Sequence, residues 1–156
     1  MTSYTVHNEV VTDQPTAVTI ATLSVDEIGG WLASAYDAVA GVIAARQAEP
    51  AGPPFARFHR HEDGEFTVEA GFPVTTEIEA VGQVQPGELA GGRVATTIHL
   101  GPYEAMEPAY EAVLTWIAEH GCEPAGDAWE VYFSDPAEDP DPAHWRTEIV
   151  QPYRQA

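Results

Sequence analysis

Basic residues are scarce in this sequence: six Lys and Arg stand against 25 Asp and Glu, a formal net charge of −19 over 156 residues. Such a surface repels a phosphate backbone and an anionic bilayer alike, which weighs against nucleic-acid and membrane partners. It gathers cations around the molecule, although charge of one sign serves plain solubility equally well. Cysteine is nearly absent. With Cys122 alone no internal disulfide forms, a reducing compartment fits, and the thiol reads as a small residue after a helix rather than as a nucleophile. The stretch from Met1 to Glu9 has neither the basic start nor the apolar run of a secretion signal, and no stretch is expected to approach the length of a membrane span. A cytoplasmic location is the expectation.

Several chemistries are missing as well. Ser24, Ser34 and Ser134 lack a nucleophile-elbow context, and Gly91-Gly92 lacks a phosphate-loop pattern. His59 and His61 share one face of a strand, but no third ligand lies near them in sequence, so they read as exposed polar residues beside a turn. Neither a metal nor a cofactor is expected.

What the chain does have is a copy of itself. Ala35-Tyr36-Asp37-Ala38-Val39 returns as Ala109-Tyr110-Glu111-Ala112-Val113, and Glu49-Pro50-Ala51-Gly52 returns as Glu123-Pro124-Ala125-Gly126, both at a spacing of 74 residues. Half of this length is marginal for independent folding, so the pattern predicts one domain, 1–156, made of two repeats. In the first, Ala17 to Leu23 reads as a strand and Ser24 as the cap of a helix on which Ile28, Trp31, Leu32, Ala35, Tyr36, Val39 and Ile43 recur at three- and four-residue steps. Pro50 to Pro54 stops that helix, and strands Phe55 to Arg60 and Phe66 to Phe72 follow, joined through Glu62-Asp63-Gly64. The second repeat predicts a strand from Arg93 to His99, a turn at Leu100-Gly101-Pro102-Tyr103 and a helix from Glu104 or Met106 to His120. Strands from Trp129 to Phe133 and from Trp145 to Val150 complete it.

The expected fold is therefore α+β: two tandem β-α-β-β repeats with pseudo-twofold symmetry, antiparallel sheets with helices, and a ligand groove between the repeats. Repeat one covers about 10–74 and repeat two about 92–156; the Gly- and Pro-containing linker of about 75–91 carries a short edge strand around Ile78 to Val81. Five extra residues in the second hairpin fall in the acidic, proline-rich run from Asp135 to Pro142, an exposed loop.

A difference between the copies singles out one residue. Superposition of the repeats sets Ala56 against Glu130, so the second copy has a carboxylate where the first has a methyl group. Alternation puts Glu130 and Tyr132 on one face of the strand and Trp129, Val131 and Phe133 on the other. Two readings stand. Either Glu130 faces solvent or pairs with Arg146 across the hairpin, or it is the one charge in an apolar pocket, set for a cation or a proton transfer. Of the tryptophans, Trp31 and Trp116 lie on helix stripes and Trp129 alternates into the core, whereas Trp145 follows the acidic loop and is placed to wall a pocket.

Gly101-Pro102-Tyr103, the helix with Ala109-Tyr110 and Trp116-Ile117, the run from Trp129 to Pro136 and the closing Glu148-Ile149-Val150-Gln151-Pro152 together resemble the GyrI-like small-molecule-binding domain, also found as the effector-binding module of AraC- and MerR-type regulators. The resemblance implies a glutamate near a groove floor, here Glu130, meeting lipophilic cations among aromatic rings. It thereby implies a standalone binder of large aromatic, preferably cationic, molecules, with Glu130 as the charge and Tyr132, Trp145, Phe58, Trp31 and Tyr103 as ring faces. A hydrolase of electrophilic, cyclopropane-bearing natural products is the alternative, with Glu130 activating water and Tyr132 or Tyr103 giving a proton. An inhibitor of a partner protein such as a topoisomerase is a third.

Overall fold

Two apolar stripes at four-residue steps decide where the helices lie. In the computed structural model, which describes residues 4–134 and 138–156, Ala35, Val39 and Ile43 form the buried face of α1 (Val25–Ala45). Ala109, Val113 and Ile117 form that of α2 (Glu107–Glu119). Ser24 starts α1 in an extended conformation, and the Glu27 carboxylate reaches back to accept from both its N–H and its hydroxyl, each at 2.9 Å. Those hydrogen bonds hold the Glu27 carboxyl below its ordinary range.

The strands are β1 (His7–Val11), β2 (Gln14–Leu23), β3 (Phe55–Arg60), β4 (Phe66–Pro73), β5 (Gln85–Leu89), β6 (Gly92–Leu100), β7 (Cys122–Pro124), β8 (Trp129–Tyr132) and β9 (Arg146–Gln155). The chain divides into two compact units, Asp13–Ala90 and Gly91–Ala156, the latter together with the N-terminal segment through Thr12. In the first, antiparallel pairing gives the order β5-β2-β4-β3. α1 packs there on Ala17, Val74, Ile78 and Val84. In the second the order is β1-β6-β9-β8, with β7 paired to the end of β9. Ala95, Ile149 and Met106 meet α2 in its core, with Tyr4, Val6 and Tyr110 packed against them. The fold class is α+β with antiparallel sheets and two helices.

Several expectations need correction. The edge strand is not at Ile78 to Val81: Ile78 is buried in the core, Val81 only bridges to Val84, and Gln85–Leu89 takes the free edge of β2. β1 was not expected at all. Of the two expected starts of α2, Met106 agrees, since it caps the helix that begins at Glu107, and Glu104 does not: Pro108 has no N–H to offer the carbonyl four residues back, and Tyr103–Ala105 forms a separate 3-10 turn. α1, at 21 residues and with an 18-residue window of mean hydropathy 1.4, is by length and composition long and apolar enough to cross a membrane, contrary to the expectation that no stretch approaches that length. Met1 to Ser3 and the start of the acidic loop, residues 135–137, lie outside the described residues.

Candidate functional site

β8 carries the site because its register places alternate residues toward α2. Glu130 stands opposite Ile149 on β9, which stands opposite Thr97 on β6; Tyr132, Thr147 and His99 form the next row. Residues directly opposite share a face, and Ile149 lies in the core under α2, so both rows point to the helix side.

Glu130 is 8% exposed. The Tyr132 hydroxyl donates to its Oε1 at 2.8 Å, and the Tyr110 hydroxyl, reaching across from α2, donates to its Oε2. Burial pushes the carboxyl above its ordinary range, while the two phenol hydrogen bonds and the nearby His99 pull the other way. Tyr110 is pushed above the usual phenol range, first by burial and then by the charge and hydrogen bond of Glu130. Both solvent exposure of Glu130 and a pair with Arg146 are ruled out: the guanidinium of Arg146 stands 5.1 Å from the ring centroid of Phe133 instead.

A ring cluster adjoins the carboxyl. Tyr103 stacks on Trp145 with centroids 4.9 Å apart and meets Tyr132 edge-on at 5.7 Å. Trp145 is fixed by its indole N–H, which donates to the Asp139 carbonyl at 2.7 Å. Tyr103 is fixed through the turn before it. Gly101, at φ +132, turns its N–H to the Trp145 carbonyl at 2.9 Å. His99, 3% exposed, holds the Pro102 carbonyl with Nε2 at 2.9 Å. A carbonyl only accepts, so Nε2 carries a proton and donates it there, while Nδ1 lies 3.0 Å from the Tyr4 hydroxyl.

The structure thus brings together Glu130, Tyr132, Tyr103 and Trp145 of the expected site residues. Trp31 lies half-buried on α1, and Phe58 on β3 meets Phe66 edge-on at 6.4 Å; both belong to the unit Asp13–Ala90. Tyr110, His99, Tyr4 and Thr147 were missed. A signal for Tyr110 existed: its counterpart 74 residues earlier, Tyr36, donates to the carbonyl of Phe55 at 2.9 Å, just before Ala56. Where Ala56 becomes Glu130, the corresponding phenol bonds the carboxyl instead. Chemically, a buried carboxyl with two phenol donors and stacked rings beside it suits an organic cation, or proton transfer to a bound water. Among the described residues no three or more His, Cys, Asp or Glu side chains gather to hold a metal.

The family model of the GyrI-like small molecule binding domain matches residues 23–154. Among curated proteins nothing matches. Solved structures do: the C-terminal domain of EcmrR superposes with a TM-score of 0.77 at 15% identity, covering 98% of this chain and 99% of that one. In the EcmrR–DNA complex the TM-score is 0.79 at 17% identity, and the 98% of this chain that matches spans 58% of EcmrR. SAV2435 bound to tetraphenylphosphonium gives 0.66 at 17%, covering 98% of this chain and 94% of that one. A hydrolase from Listeria innocua gives 0.72 at 13%, covering 96% and 91%. These likenesses establish the fold.

Proposed function

Because the chain belongs to the GyrI-like small-molecule-binding family, we propose that it binds large aromatic, preferably cationic, molecules at Glu130. The observation that carries this reading is a buried carboxyl whose hydrogen-bond partners are two phenols, with the Tyr103–Trp145 stack and the Tyr132 ring beside it. Ionised in that setting, it lacks a counter-charge from Lys or Arg among the described residues, and an organic cation supplies one while the rings supply cation–π contact of about 0.5–2 kcal/mol each. The structure of SAV2435 with tetraphenylphosphonium adds support by fold. The reading also takes the two units as copies of one β-α-β-β module. The 74-residue spacing of the buried triads Ala35, Val39, Ile43 and Ala109, Val113, Ile117 supports that, as do the like strand orders.

Calorimetric titration with tetraphenylphosphonium and with neutral triphenylphosphine oxide tests it. Glu130→Gln is expected to weaken the cation at least tenfold, about 1.4 kcal/mol, and the neutral compound little. Equal loss for both removes Glu130 from charge recognition. The second reading, a cofactor-free hydrolase of electrophilic cyclopropane-bearing compounds, draws on the same carboxyl with phenol O–H groups in reach of one another, and on the Listeria innocua neighbour. Ring-opened product that disappears in Glu130→Gln would put it first.

A further inference from the structure

Around Glu130 one polar side chain has its hydrogen-bonding capacity unused. Thr147 is wholly buried, and its hydroxyl has no partner among the described residues. Register puts it between Tyr132 on β8 and His99 on β6, on the face that carries Glu130. Both flanking residues are committed elsewhere: the Tyr132 hydroxyl to Glu130, and the two ring nitrogens of His99 to Pro102 and Tyr4. Glu130 is the diagonal neighbour of Thr147, which in an antiparallel pair means about 7–8 Å between their Cα atoms. Two residues before it on the same chain, Trp145 carries the ring stacked on Tyr103. Thr16 and Thr19 on β2 are likewise buried without a partner, but the carboxylate nearest Thr16, Glu69, is already paired with Arg57 at 2.7 Å, and the residue opposite Thr19 is Ala70.

We propose that Thr147 is a second recognition point of this site, selecting among aromatic cations those that also carry a hydroxyl, carbonyl or ether oxygen able to reach Thr147 while the charge meets Glu130. The inference rests on the cation-binding reading. A threonine hydroxyl both donates and accepts, so it serves any of the three oxygens. An occupant that bonds it relieves the cost of a buried unpaired hydroxyl, which an occupant without oxygen does not.

The test titrates the full chain with tetraphenylphosphonium and with its para-hydroxyphenyl analogue, in wild type and in Thr147→Val, which exchanges hydroxyl for methyl at nearly constant shape. Wild type is expected to prefer the hydroxylated cation about three- to tenfold. Thr147→Val is expected to lose that preference, read as the ratio of the two affinities within each protein. Thr147→Ser, which retains the hydroxyl, keeps the preference, and Thr147→Ala, the substitute should the valine protein not fold, loses it. A wild type without preference overturns the inference while leaving the cation reading intact. So does a preference that survives in the valine or alanine protein, or an equal loss for both ligands. Absence of any tetraphenylphosphonium binding overturns the cation reading, and this inference with it.

Discussion

Burial raises the proton affinity of the Glu130 carboxyl, and that has consequences for stability as well as for binding. A carboxyl whose folded pKa lies above its unfolded value favours folding in its protonated form. The contribution is fully present below the unfolded value of about 4.5 and is lost as pH rises through the folded value. At neutral pH the folded protein therefore carries the cost of a buried, ionisable group that Glu130→Gln does not. The thermal midpoint of Glu130→Gln is expected to exceed that of wild type at pH 7, with the gap closing toward pH 4.5; a gap that widens on acidification would contradict the direction of the shift. Cation binding runs the other way, weakening as acid protonates Glu130. How legible was this residue? Glu130 stood out because Ala56 stands 74 residues before it, at the spacing at which the sequence pattern recurs, and Tyr132 because it is two residues away on the same face. Tyr110, His99 and Tyr4 reach the site from a helix, a neighbouring strand and the N-terminal segment. Which hydroxyl meets which carboxyl oxygen depends on tertiary distances that no spacing within one element encodes.

Among the elements, the turn between β6 and the 3-10 helix carries the most consequence for the site. Gly101 there adopts φ +132, a conformation that costs a residue with a Cβ about 1–3 kcal/mol. Gly101→Ala is expected to lower stability by about that amount, and to weaken tetraphenylphosphonium binding through a displaced Tyr103, while Glu130 and Tyr110 stay in place. Denaturant titration together with calorimetry checks both halves; unchanged affinity with reduced stability would uncouple the turn from the site. Helices and central strands were readable from sequence since their apolar periodicities are strong: Phe55–Arg60 has the expected bounds, and α1 starts at Val25 after Ser24. The edge strands were not. Gln85-Pro86-Gly87-Glu88-Leu89 has almost no strand-favouring residues and is a strand because β2 offers it a row of backbone partners; the mostly exposed His7–Val11 is held in the same way by β6.

At the scale of the whole molecule the dominant quantity is charge. A formal −19 makes the potential around the protein negative, so tetraphenylphosphonium is attracted before it makes contact. Raising ionic strength from about 0.05 to 0.5 M shortens the screening length severalfold and is expected to weaken tetraphenylphosphonium binding several-fold, with triphenylphosphine oxide unaffected. Equal salt response of both ligands would show that the surface field plays no part. The sequence made this global property plain, since a count of residues suffices for it.

The stacked pair of Tyr103 and Trp145 has an optical consequence. Two aromatic chromophores 4.9 Å apart and inclined by 28° bring their transition dipoles close enough to couple. The indole is held by the Asp139 carbonyl and the phenol side by the Gly101 turn, so the handedness of that couple is fixed. The near-ultraviolet circular dichroism of this protein therefore contains a signature of a single place in the molecule, and a guest that slides between the rings or parts them rewrites it without any added label.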